Sequence, residues 1–266
     1  MIEAKQMQNL TLPISAYFPV GSVFPWDSPY YSEDIATIER NRAHLFYISM
    51  GSGTGTRLRT PGFGSAEGAQ VREIDLDSLV NRDAVVLKIA KDQAEAITEG
   101  DIAAAVRASG SWEHSALIVA TGWGDGKRWE SLGEDYSVLS PYFAPAAAEW
   151  LSVEMEKRGS DLLLTDCAHL DRPGGEFARK EWLELAPWLR PPWPSDQAKV
   201  YLRHYTPEKV KADWSASRAL TRNASVVVGL ANCGALSGPS AWLTILPMSI
   251  ADVAEAPCTV VAESGA

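Results

Sequence analysis

Two arginines separated by one residue, Arg57 and Arg59, are the first candidates for chemistry in this chain. They lie in Thr56-Arg57-Leu58-Arg59-Thr60, an alternating stretch that suits a short extended segment. In such a segment the side chains at i and i+2 point the same way. Both guanidinium groups therefore project side by side, with Leu58 on the opposite face. A guanidinium binds carboxylate or phosphate through a paired fork and can stabilise an oxyanion. The pair reads either as an anion-binding device or as salt-bridge partners for the carboxylates of an acidic chain. The second constellation is His169, flanked by Asp166 and Asp171. Histidine titrates near neutrality and a neighbouring carboxylate can orient it, so His169 with Asp166 is the acid–base candidate. Capping of a turn by His169 is the alternative. Cys167 and Cys233 have no histidine partner at recognisable spacing and read as buried thiols.

The elements that must position these residues follow from patterning. An apolar run over 45–50 reads as a strand, and Gly51, Gly53 and Gly55 after it allow a tight bend or a close approach. Pro61-Gly62 ends the arginine segment as a turn. Residues 9–13 read as a short edge strand closed by Pro13. Residues 79–89 read as a turn and then a buried strand, and 116–120 and 161–165 as buried strands, the last leading into Asp166 and His169. A helix opens at Thr98, its N-cap, and another runs over 145–157 with Pro145 near its start. Residues 215–221 read as helix, 225–232 as a strand and turn, and 243–248 and 258–262 as strands. A loop over 17–31 is dense in proline and aromatic residues, including Trp26, and excludes regular helix. The tract 173–207, rich in Trp and Pro, reads as an insertion or lid.

Composition bounds the function classes. At 266 residues, with 46% apolar and 22% charged residues, the chain suits one ordinary globular domain, 1–266. A net charge of −10 argues against a nucleic-acid partner. No apolar run approaches the ~20 residues of a membrane span, and the N-terminus lacks the pattern of a signal peptide. Three cysteines without CxxC spacing argue against a disulfide framework and make a cytoplasmic location the default. His44, His114, His169 and His204 show no ligand spacing.

The stretch from Gly53 to Phe63 resembles the signature of the cyclase superfamily, which contains bacterial kynurenine formamidase and isatin hydrolase. That signature is His-x-Gly-Thr-His-x-Asp-x-Pro-x-His, and its first two His and its Asp hold a catalytic divalent metal. Gly55, Thr56 and Pro61 match the frame, whereas Gly53 and Arg57 stand at the ligand His positions, Arg59 at the Asp and Phe63 at the last His. Thr121-Gly122-Trp123 also resembles the family, as does the helix and strand in which Ala216 or Ser217 takes a His place and Val228 a Glu place. The resemblance implies an α/β swivelling β/β/α fold with a mixed central sheet and flanking helices. It further implies a homodimer or homotetramer and a pocket bordered by the 17–31 loop. Trp26, Trp123 and Phe63 thus join Arg57 and Arg59 as substrate-binding candidates. Family substrates are small amides, lactams or aryl-amino acids bearing a carboxylate. Arginine has no accepting lone pair, and two cations repel a divalent ion by ~4 kcal/mol per pair of unit charges at ~4 Å and an effective dielectric near ~20. The expectation is therefore a small anionic ligand, no metal and no cofactor. The enzyme readings are a metal-independent one and an ordinary metal-dependent amide hydrolase; the alternative is an inactive anion-binding protein.

Overall fold

The computed structural model describes residues 7–15, 30–110, 112–133, 135–172 and 214–264. Trp26, His204 and the 173–207 tract lie outside the described residues. The strands are β1 (Met7–Asn9), β2 (Tyr31–Ala36), β3 (Leu45–Ser49), β4 (Arg57–Arg59), β5 (Arg82–Lys88) and β6 (Ala96–Ile97). They continue as β7 (Ala116–Ala120), β8 (Tyr142–Phe143), β9 (Leu162–Thr165), β10 (Ser225–Val228), β11 (Ser240–Pro247) and β12 (Glu255–Ser264). The helices are α1 (Ile38–Asn41), α2 (Glu99–Ser109), α3 (Arg128–Leu132), α4 (Asp135–Val138), α5 (Pro145–Arg158) and α6 (Ser215–Leu220).

The sheet is mixed, as expected, and it closes on itself. Strands run in the order β12, β11, β5, β7, β9, β10, β4, and β4 pairs again with β12. Neighbours within β5, β7, β9 and β10 are parallel, and the remaining ladders are antiparallel. Closure removes the open edges that an exposed sheet would offer to other chains. β12 makes the closure possible because it is long. Its first residues, Glu255 to Pro257, pair with β4, and its last pair with β1.

Period-two alternation then sorts β5, β7, β9 and β10 between two cores, while β4, β11 and β12 turn their apolar residues to one of them. Leu58, Val86, Ile118, Leu164, Val227, Leu243 and Val260 turn into the barrel and pack with one another. Val85, Leu87, Leu117, Val119, Leu163, Val226 and Val228 turn outward against α2, α5 and α6. Because Leu58 is fully buried inside the barrel, its neighbours Arg57 and Arg59 must face out, on the α6 side. α2 starts as its sequence says: Thr98 accepts from the Asp101 amide and Asp101 reaches back to Thr98, a capping box. α5 carries Pro145 at its first turn and ends on the left-handed Gly159.

The 45–50 run is a strand, but not one of the barrel. Among the described residues β3 pairs only with β2, in a two-stranded ribbon whose Leu45, Phe46 and Ile48 stay more than half exposed. β12 begins three residues before the expected 258, a difference that matters for the site. Among the described residues no helix is long and apolar enough to cross a membrane.

Candidate functional site

Arg57 and Arg59 meet a carboxylate that lies far away in sequence. Register pairs Arg59 with Glu255 across the β4–β12 ladder, so both side chains rise on one face. One oxygen, Oε1 of Glu255, accepts from Nε of Arg57 at 2.8 Å and from Nε of Arg59 at 2.6 Å. The two arginine side chains are 1% and 3% exposed and the glutamate 13%. Burial would raise the Glu255 carboxyl, but the Arg59 and Arg57 guanidinium groups outweigh it and hold it below its ordinary range. Arg57 also donates to the Gly55 carbonyl at 3.1 Å, to the Ala168 carbonyl at 2.8 Å and to Nδ1 of His169 at 3.3 Å. Gly55 sits at φ +70°, a left-handed conformation that turns its carbonyl toward the guanidinium without a Cβ penalty. Arg59 donates to the Ser217 hydroxyl at 3.1 Å and lies over the Phe63 ring, 4.3 Å from its centroid. Phe63 in turn meets Trp214 edge-on at 5.7 Å.

His169 is brought to this cluster, and Asp166 is not. Since arginine can only donate, Nδ1 of His169 is the acceptor and the ring proton is on Nε2. Burial, then the Arg57 and Arg59 charges, push its pKa well below the usual histidine value, so the imidazole is neutral. Its basic lone pair therefore faces Arg57 rather than a reacting proton. Asp166 is fully buried and accepts from the Thr121 amide and hydroxyl, both at 2.8 Å, and from the Gly124 amide at 3.4 Å. It ties the Thr-Gly-Trp turn to the end of β9. Burial raises its pKa, and the Thr121 and Gly124 donors oppose that rise. Asp171 holds the first turn of α6 by accepting from the Ala216 amide at 2.8 Å and from the Ser217 hydroxyl.

Trp123 is packed into the interior. It is fully buried, stacks on Tyr136 at 5.4 Å and donates to the Tyr136 carbonyl, which makes it part of a separate apolar cluster. Cys167, Cys233 and Cys258 are free and buried, and burial pushes each thiol up, as inert thiols require. Glu255 escaped the sequence reading. It lies 196 residues from Arg59, and no local pattern announces a barrel closure.

The motif frame holds in space although its chemistry differs. Gly53 approaches the cluster so closely that a Cβ there would stand 3.1 Å from Oε2 of Glu255. Val228 pairs with Arg57 across the β10–β4 ladder, and Ser217 bonds Arg59. A divalent cation needs lone-pair donors, and these positions offer a glycine, two guanidinium groups, a valine and a hydroxyl already taken. Glu255, the carboxylate that meets them, is bridged by both arginines, so among the described residues these positions do not fit the metal. Among the described residues no three His, Cys, Asp or Glu side chains converge.

The comparisons agree with this frame. The family model described as Putative cyclase matches residues 8–172, more than half of the chain, and the chain belongs to the cyclase family. Isatin hydrolase A from Labrenzia aggregata, bound to benzyl benzoate, is similar in fold, at TM-score 0.69 and 19% identity over 97% of this chain and 93% of that one. Isatin hydrolase A from Ralstonia solanacearum is similar at TM-score 0.66 and 18% identity, over 98% and 92%. A predicted metal-dependent hydrolase from Bacillus stearothermophilus gives 0.61 and 16%, over 97% and 98%. At these identities the likeness is one of fold. No curated protein sequence matches the chain.

Proposed function

We propose that the chain is a cyclase-family enzyme that binds a small carboxylate-bearing amide, lactam or lactone at the Arg57–Arg59 cluster. It converts that substrate by hydrolysis, cyclisation or elimination without the family's metal centre. The observation that carries this reading is Arg59 at the motif: its guanidinium is 3% exposed, shares the Glu255 oxygen with Arg57, and otherwise donates to the Ser217 hydroxyl, in a setting where charge is felt strongly. Among the described residues Asp171 reaches Arg59 through the Ser217 hydroxyl. A small oxyanion would give the Arg59 guanidinium an anionic partner of its own. His169 stands beside the cluster as a neutral Nε2–H donor, a form suited to polarising a carbonyl rather than to abstracting a proton.

A second reading is an anion-binding protein that has lost turnover. It is favoured by the commitments of the acid–base candidates: Asp166 is engaged by Thr121 and Gly124, and Nδ1 of His169 by Arg57. Two measurements decide. A thermal-shift screen of small aliphatic and aromatic carboxylates should raise the melting temperature of wild type and not that of an Arg57→Gln, Arg59→Gln double variant. Conversion of a stabilising amide or lactam by metal-free protein supports the enzyme, and binding without conversion supports the second reading. Stoichiometric metal whose removal abolishes activity would overturn both.

A further inference from the structure

Arg57 and Arg59 do not spend their donors alike. A guanidinium carries five N–H donors in a rigid fork. Arg57 commits one on Nε to Glu255, one on Nη1 to Gly55, and two on Nη2 to Ala168 and His169. All four point into the protein. Arg59 commits one on Nε to Glu255 and one on Nη1 to Ser217, and one face of its plane lies over Phe63. Its remaining donors, Nη2 among them, have no acceptor among the described residues. The side chain is 3% exposed as a whole, and Nη2 is not among the fully enclosed polar atoms, so an entering oxyanion can supply a charged acceptor there.

We propose that Arg59 alone contacts the anion, through Nη2 and the remaining Nη1 hydrogen, and that Arg57 and Glu255 are positioning residues. This rests on the reading that the site binds an anion. Glu255 holds the Nε side of Arg59, so the fork presents its far end, where a planar carboxylate can accept two parallel hydrogen bonds. Arg57 holds Glu255 in place from the other side and is itself anchored by two backbone carbonyls. The ligand class is thus a planar carboxylate, with Phe63 covering the guanidinium that receives it.

Thermal shift of the full chain with sodium benzoate, against sodium chloride at equal ionic strength, tests this in wild type, Arg59→Gln and Arg57→Gln. Benzoate should raise the melting temperature of wild type and of Arg57→Gln, even if the latter starts lower. Arg59→Gln should bind benzoate about ten- to a hundredfold more weakly and show little or no rise. Loss of the rise in Arg57→Gln, alone or together with Arg59→Gln, overturns the division of labour. A rise retained in both variants removes the assignment to Arg59 and leaves anion binding standing. No rise in wild type overturns both. Should Arg57→Gln fail to fold, arginine side-chain ¹H–¹⁵N spectra of wild type decide instead. Benzoate must then move the Arg59 resonance more than that of Arg57, and the reverse order overturns the proposal.

Discussion

Glu255 holds the two arginines together, and its removal should cost more than the loss of one surface ion pair. Two guanidinium groups would be left buried against each other, and breaking such a pair typically costs about 3–5 kcal/mol. Glu255→Ala should therefore lower the urea midpoint strongly, and a wild-type midpoint would sink this account. The same residue sets part of the pH response. Its folded pKa lies below the ordinary 4.5, so its stabilisation is present above that value and is lost as pH falls through the lower folded pKa. His169 acts at higher pH with a related sign. Its folded pKa lies well below 6.5, so from about that pH downward the unfolded chain takes up a proton that the folded chain refuses. Stability should fall in two stages on acidification. His169→Gln should remove the earlier stage and Glu255→Gln the later one, read as urea midpoints from about pH 8 to about pH 3. An unchanged profile in both variants would show that neither group is set as described. From the sequence, Arg57 and Arg59 were legible as a pair because i and i+2 share a face of any strand. Their partner was not, because pairing across a ladder depends on register between segments 196 residues apart.

Among the elements, the Thr-Gly-Trp turn and the end of β9 form a unit through Asp166. Its oxygens take the Thr121 amide, the Thr121 hydroxyl and the Gly124 amide, all buried. Asp166→Ala should strand these three donors at a cost of about 3 kcal/mol or more, since each buried unpaired group costs about 1–3. The emission of Trp123, which belongs to that turn, should change with it. An Asp166→Ala protein as stable as wild type would return Asp166 to the list of catalytic candidates. Helices and buried strands were legible because their signals are local: a capping box at Thr98, proline at the start of α5, apolar runs in β7 and β9. β3 shows the limit of that reading. Its apolar residues make a strand, but whether a strand joins the barrel or a ribbon depends on what packs against it.

For the whole molecule, the ribbon of β2 and β3 raises the question of assembly. Phe46 and Ile48 are 53% and 55% exposed, and an isolated two-stranded ribbon is marginal in water. The expected homodimer or homotetramer would cover it. Light scattering should then give a mass of two or more chains, and Phe46→Asp with Ile48→Asp should reduce it. A monomeric wild type would remove the expectation. By itself the sequence determined the strands of the barrel, the longer helices, the side-by-side arginine pair and the frame of the cyclase signature, because these depend on residues a few positions apart. Only the tertiary structure decided that the sheet closes, that Glu255 lies between the arginines, and that Asp166 and Trp123 hold a turn. Each of these depends on which distant segments share a ladder or a core, and chain closure sets that rather than local pattern.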